Sequence, residues 1–172
     1  MYVLDDEKYG RLKQAMSDIV AQSHVPQKFI ETSAIGNIDK TDMDYLKSFS
    51  DIRKDGGIGG YLKFGGIQNI KFNFMAGALI RNFIDARVLT IDQALDLGDS
   101  NPTVLFLTDF CISSEDSKPL PSWKTQQIYD LILHRFDGKR QTILSATSQD
   151  SILKNYGINL KDFLIENYKT NS

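Results

Sequence analysis

Between Gly59 and Phe83 a short apolar strand, a glycine turn and a helix follow one another, and this stretch constrains the fold more than any other. Tyr61 to Phe64 reads as the strand, and Gly65 and Gly66 as the turn. A helix is expected from about Ile70 to Ile84, where Phe74, Ala78, Ile80, Phe83 and Ile84 supply a side that can lie on a sheet. A strand and a helix joined so tightly form the opening half of a βαβ unit.

The rest of the chain repeats that grammar. A helix is expected over Asp5–Gln22, with Leu12, Met16, Ile19 and Val20 on one stripe and Asp5, Asp6 and Glu7 at its start. It must stop before Pro26. Val25 to Asp39 reads as irregular. A second helix is expected over Thr41–Arg53, capped by Thr41 or Asp42, with a weaker stripe through Met43, Leu46 and Phe49. Lys54 to Gly60 is a glycine-rich connector with no lysine at the offset a phosphate loop would need. Further strands are expected at Ala86–Ile91, Thr103–Thr108 and Gln141–Ala146, making four in all. Asp92–Leu97 adds a helical turn, Gly98–Pro102 a turn and Phe110–Pro121 a polar loop. Ser122 caps a helix that runs to Asp137 on Ile128, Leu131, Ile132 and Phe136, and Gly138 ends it. Short helices follow at Ser148–Tyr156 and Leu160–Tyr168. The alternation of strands and helices, with a continuously apolar third strand, predicts an α/β fold of three layers on a mostly parallel sheet.

Composition narrows the class. The 172 residues carry a net charge of −2 and a 41% apolar fraction, ordinary for a soluble domain and no argument for a nucleic-acid protein. One cysteine, Cys111, excludes an internal disulfide and a zinc pattern. No apolar run is long enough for a bilayer span, and Met1–Lys8 has no apolar signal region, so a cytoplasmic protein with no membrane partner is expected. Residues 1–24 form an N-terminal helix ahead of a single globular domain over 25–172.

The glycine turn invites comparison with the phosphate-binding pattern Gly-x4-Gly-Lys-[Ser/Thr] between strand and helix. Gly65 holds the first glycine place and Lys71 the lysine, but Ile70 stands for the second glycine and Phe72 for the hydroxyl residue. Other segments then fall into line. Val25–Phe29 resembles the lead-in Ile-Pro-x-[Arg/Lys]-[Phe/Tyr]; Val104–Phe110 resembles a Walker B strand; Trp123–Phe136 with Gln141–Thr147 resembles a helix ending in Arg-[Tyr/Phe] followed by a sensor strand. Together, over roughly residues 25–165, the chain resembles the DnaC and IstB type of helicase-loader ATPases, a branch of the AAA+ P-loop proteins.

The resemblance implies a nucleotide site built on Gly65, Gly66, Asn69, Lys71, Asp109 and Thr147, and the departures imply that it is vestigial. Phosphate loops need glycines so that backbone N–H groups can close on phosphate, yet Gln68 and Ile70 bring side chains there. The hydroxyl after the lysine holds magnesium, and Phe72 has no oxygen; it could instead fill the phosphate space. One acid, Asp109, stands where the family has two: either Thr108 replaces the metal acid or Phe110 replaces the water-activating one. Thr147 replaces the sensor asparagine, and Asn159 and Phe163 fall nearest to the missing arginines. No catalytic residue, no metal and no ATP-magnesium cofactor are therefore expected. The resemblance implies a pseudoenzyme that contacts a replicative helicase, a loader or another replication protein, without ATP-dependent oligomers. Two alternatives remain: an ATPase with an atypical loop using Lys71 and Asp109, and weak nucleotide-independent contact with nucleic acid through Lys54, Lys139 or Arg140.

Ordinary structural roles are expected elsewhere. Lys71 is read as solvent-facing, and Asp109 as a metal-ligand remnant or a cap on a backbone N–H. Arg135 is expected to pack or pair with a carboxylate, Trp123, Phe72, Phe74 and Phe83 to pack, Cys111 to be buried, and His24 and His134 to be structural or surface residues. The N-terminal helix is the expected surface for self-association or a partner, because its stripe must be buried against something.

Overall fold

The computed structural model describes residues 6–98, 100–111 and 120–171, with side chains from Gly10 onward. The start of the N-terminal helix and most of the Phe110–Pro121 loop lie outside the described residues. The elements are α1 (Asp6–Ser23), α2 (Gln27–Glu31), α3 (Lys40–Asp55), β1 (Gly60–Phe64), α4 (Asn69–Arg81), β2 (Ala86–Leu89), α5 (Ile91–Leu95), β3 (Val104–Cys111), α6 (Ser122–Asp137), β4 (Gln141–Ala146), α7 (Gln149–Tyr156), α8 (Ile158–Asn167) and β5 (Tyr168–Thr170). The five strands form one parallel sheet in the order β2-β3-β4-β1-β5, with helices on both faces.

Strand parity splits the interior into two cores. Tyr61, Val104, Phe106 and Ile143 face the side that also buries residues of α2, α3 and α4. Leu62, Leu105, Leu107 and Leu144 face the side covered by residues of α5, α6, α7 and α8. The stripe of α1 is spoken for: Met16, Ile19 and Val20 pack against the first core. Gln22 Oε1 accepts a hydrogen bond from Arg87 Nη2 at 2.7 Å, which pins the end of that helix to β2. Met16, Ile19 and Val20 no longer need a partner to cover them, while Leu12 of the same stripe stays 38% exposed.

Several local expectations change for identifiable reasons. Val25–Asp39 is not wholly irregular: it holds α2, which crosses α4 at Gly77, where an added Cβ would meet Phe29 O at 2.1 Å. The Arg81 guanidinium fastens the crossing by donating to Ile30 O and Thr32 O at 2.6 and 3.0 Å. The cap of α3 is Asp39, not Thr41 or Asp42, and the Asp39 N–H donates to Asp42 Oδ2. The cap position of α6 is Pro121, with Ser122 inside the helix. Gly138 does not use its left-handed freedom, since its φ is −78°; Lys139 does, at 56°. Phe83 is half exposed with a φ of 60°, and Trp123 is 61% exposed, so neither is a packing residue.

The fifth strand is the largest departure. Leu160, Leu164 and Tyr168 sit four residues apart, as a helix would place them, and the first two are buried that way. Tyr168 instead turns extended and pairs with Gly60 of β1. The open edge of β1 offers unpaired backbone groups, and satisfying them outweighs one more helical turn. Asn171 completes the edge, accepting from Phe64 N at 2.8 Å and donating to Phe64 O at 2.9 Å.

Candidate functional site: the glycine loop and its lysines

The loops at the carboxyl ends of β1, β3 and β4 hold the residues singled out in sequence, which is where parallel α/β sheets place ligands. Gly65 and Gly66 both take positive φ, 126° and 94°, and Gly65 N donates to Ala146 O at the end of β4. The two glycines therefore make a tight turn between β1 and α4 that other residues would strain to adopt. Its filling is not that of a phosphate loop. Gln68 is 8% exposed, and its amide lies 3.5 Å from where a Cβ on Gly65 would stand. Ile67 and Ile70 project outward, 71% and 65% exposed. Asn69 is exposed, and its carbonyl accepts from Asn73 Nδ2.

Lys71 is not simply solvent-facing. Its Nζ lies 2.9 and 3.0 Å from the two carboxylate oxygens of Asp39. Asp39 Oδ2 also accepts from Lys63 Nζ at 2.8 Å, and Lys63 lies 2.5 Å from Asp42 Oδ2. Tyr61 donates its hydroxyl to Asp42 Oδ1 at 2.7 Å. Lys63 is 1% exposed and Asp42 is fully buried, so β1 carries a charged pair on the face where parity calls for an apolar residue. The Lys63 and Lys71 ammonium groups hold the Asp39 carboxyl below its ordinary range. Burial, helped by the Asp42 carboxylate, pushes the Tyr61 phenol well up. This Asp39–Lys71–Lys63–Asp42 network escaped the sequence reading. Its one local signal was a lysine between two inward apolar positions on a core strand, Leu62 and Phe64.

Phe72 does not enter the phosphate space. It is fully buried in the first core, with its ring 5.4 Å from that of Phe106. Asp109 sits where the pairing of β3 with β4 shifts register between Leu107 and Cys111. That irregularity turns its side chain to the start of α5, where Oδ1 accepts from Ile91 N at 2.8 Å. Burial raises the Asp109 carboxyl, and the Ile91 hydrogen bond opposes the rise. Thr147 is exposed, with its N–H donated to Cys111 O. Asn159 is exposed, and Phe163 packs edge-on against Phe136.

A magnesium nucleotide does not fit this donor set. The lysine already holds a carboxylate, the residue after it turns a ring into the core, and the acid of β3 is spent on a helix end. Among the described residues no three His, Cys, Asp or Glu side chains gather as a metal site. Cys111 is buried, and burial raises its thiol, so it is a poor nucleophile. Arg135 is also fully buried and, among the described residues, pairs with no carboxylate; it donates to Thr142 Oγ1, Pro102 O and Gln141 O at 2.9, 3.0 and 2.7 Å.

A cleft of about 340 Å3 opens at the other end of the sheet, between the C-termini of α3 and α6, and Arg53, Ile58, Lys139 and Arg140 line it. Cations at helix C-termini complement the helix dipoles, which accounts for their place there.

No family model matches the chain, and no curated protein matches it by sequence. Solved structures do match. The DnaC helicase loader superposes with a TM-score of 0.53 at 13% identity, over 77% of this chain and 89% of that one. The replication initiator DnaA, bound to AMPPCP and single-stranded DNA, gives 0.56 at 12% identity, over 86% of this chain and 50% of that one. A proposed primosome component from Streptococcus pyogenes serotype M3 gives 0.54 at 12% identity, over 92% and 94%. With its parallel five-stranded sheet and glycine turn after β1, this chain shares the α/β fold of these three solved structures.

Proposed function

We propose that this chain is a non-hydrolysing AAA+ protein that serves DNA replication by binding another replication protein, such as a replicative helicase or its loader. The observation that carries the loss of hydrolysis is Phe72. In loops of this kind the residue after the lysine holds magnesium through a hydroxyl. Here that position is a fully buried phenylalanine, and a serine or threonine there would leave a gap in the core beside Phe106. The link to replication rests on the neighbours in fold, a helicase loader, an initiator and a proposed primosome component.

The test is phosphate release from ATP with magnesium, with and without single-stranded DNA. No turnover above background is expected. Turnover near 1 s−1, the low end of ordinary enzymes, that Lys71→Ala abolishes would overturn the reading and favour an ATPase with an atypical loop.

A further inference from the structure

Asp39 stands at the N-cap of α3, and its carboxylate lies on Lys71 in the first turn of α4, just after the glycine loop. Both of its oxygens are within 3.0 Å of Lys71 Nζ. A phosphate oxygen bound by a P-loop lysine makes the same kind of contact, a charge-assisted bond from ammonium to oxyanion. Lys63 bonds Asp39 as well, but Asp42 also holds it from within the core. The Asp39 contact with Lys71 is thus additional to what the buried pair needs. It is also reachable: the Asp39 and Lys71 side chains keep 49% and 39% of their exposure. The Gly66 side of the turn is open, with no heavy atom beyond its chain neighbours within 4 Å of a Cβ built there, while the Gln68 amide lies against Gly65.

We infer that Asp39 is an intramolecular anion seated on Lys71, an autoinhibitory contact that keeps phosphate-bearing ligands off the glycine loop. The inference rests on the reading that the chain does not turn over nucleotide, and is independent of any role in replication. A ligand phosphate arriving at Lys71 must displace one carboxylate oxygen pair and then lie against the same negative charge. Removing the charge removes both obstacles.

Asp39→Asn is the variant of choice. Asparagine is the same size and serves equally well as an N-cap, so the start of α3 is kept, while Asp42 still neutralises Lys63. Sodium tripolyphosphate is the probe, titrated by calorimetry against the full chain at low salt. Asp39→Asn is expected to bind it at least tenfold more tightly than the unaltered chain, with the gain falling as salt rises. Adding Lys71→Ala to Asp39→Asn should abolish the gain. Equal binding by Asp39→Asn and the unaltered chain, or a gain that survives Lys71→Ala, overturns the inference. If Asp39→Asn melts well below the parent, Asp39→Ser, another good N-cap, is subjected to the same titration and judged by the same outcomes. Magnesium-ATP turnover is measured on the same samples. Turnover by the unaltered chain would sink the non-hydrolysing reading and with it the shielding role of Asp39, whereas a missing tripolyphosphate gain without turnover would sink the shielding role alone.

Discussion

Lys63 Nζ stands 2.5 Å from Asp42 Oδ2 with neither side chain reaching solvent. Such a pair offsets its desolvation only while both partners are present. Lys63→Ala strands the Asp42 carboxylate in the first core and should cost about 3–5 kcal/mol. Replacing both, Lys63→Met with Asp42→Leu, should recover only part of that loss, because the buried charges are gone but the Tyr61 hydroxyl and the Asp39 N–H lose their acceptor. Urea unfolding midpoints of the two variants decide it. A Lys63→Ala cost below about 1 kcal/mol, the size of an exposed pair, would mean that the carboxylate is satisfied without the lysine.

Arg135 is a buried cation held by neutral oxygens. Burial lowers its guanidinium to about 10, so it is still protonated at neutral pH. Its three bonds tie α6 to Pro102, just before β3, and to the start of β4. Arg135→Met leaves those acceptors unpaired and should cost about 2–4 kcal/mol. Arg135→Lys should recover little, since an ammonium cannot reproduce the planar fork. Thermal melts of both variants test this, and a lysine variant as stable as the parent would contradict it.

Asp39 gives the ion-pair network a pH signature. Lys63 first and Lys71 second hold its carboxyl below the usual 3.8, against burial, with Asp42 on the far side of Lys63. A lowered carboxyl contributes stability that is fully present above 3.8 and fades as pH falls through the lower folded value. Asp39→Asn should therefore flatten the acid limb of the stability curve below about pH 4 and leave the curve unchanged in shape near neutrality. Urea midpoints between pH 2.5 and 7 provide the measurement, and parallel curves for the two proteins would show that Asp39 carries no such linkage.

Gly77 permits the crossing of α2 over α4. Gly77→Ala would drive a methyl to 2.1 Å from Phe29 O and must displace α2, taking the Arg81 bonds with it. Elsewhere in an exposed helix this change gains about 1 kcal/mol; here it should lose more than that. An alanine at Gly77 that raises the melting temperature would show that α2 is not held against α4.

Assembly should not respond to nucleotide. The positions nearest the family's arginines are the exposed Asn159 and the packed Phe163, and neither carries charge. Light scattering should give one mass with and without ATP-magnesium. A shift to a hexamer-sized species on adding ATP would refute this.

The sequence by itself determined the strands and helices whose patterns are local. The strand at Gln141–Ala146 has the bounds its apolar run predicts, and the strand–glycine–helix frame at Gly59–Phe83 is where the residues place it. That Ile70 and Phe72 depart from the phosphate-loop pattern is equally legible, because residue type needs no neighbour to be read. Tertiary structure decided everything that depends on a distant partner. Tyr168 became a strand because β1 had an open edge. Lys63 went inside, and Lys71 stopped being a free cation, because the N-terminus of α3 brought Asp39 and Asp42 to them from more than 20 residues away. Periodicity reports which face a residue occupies. Whether a charge on that face is buried, paired or available depends on which segments come together there, and only the folded chain specifies that.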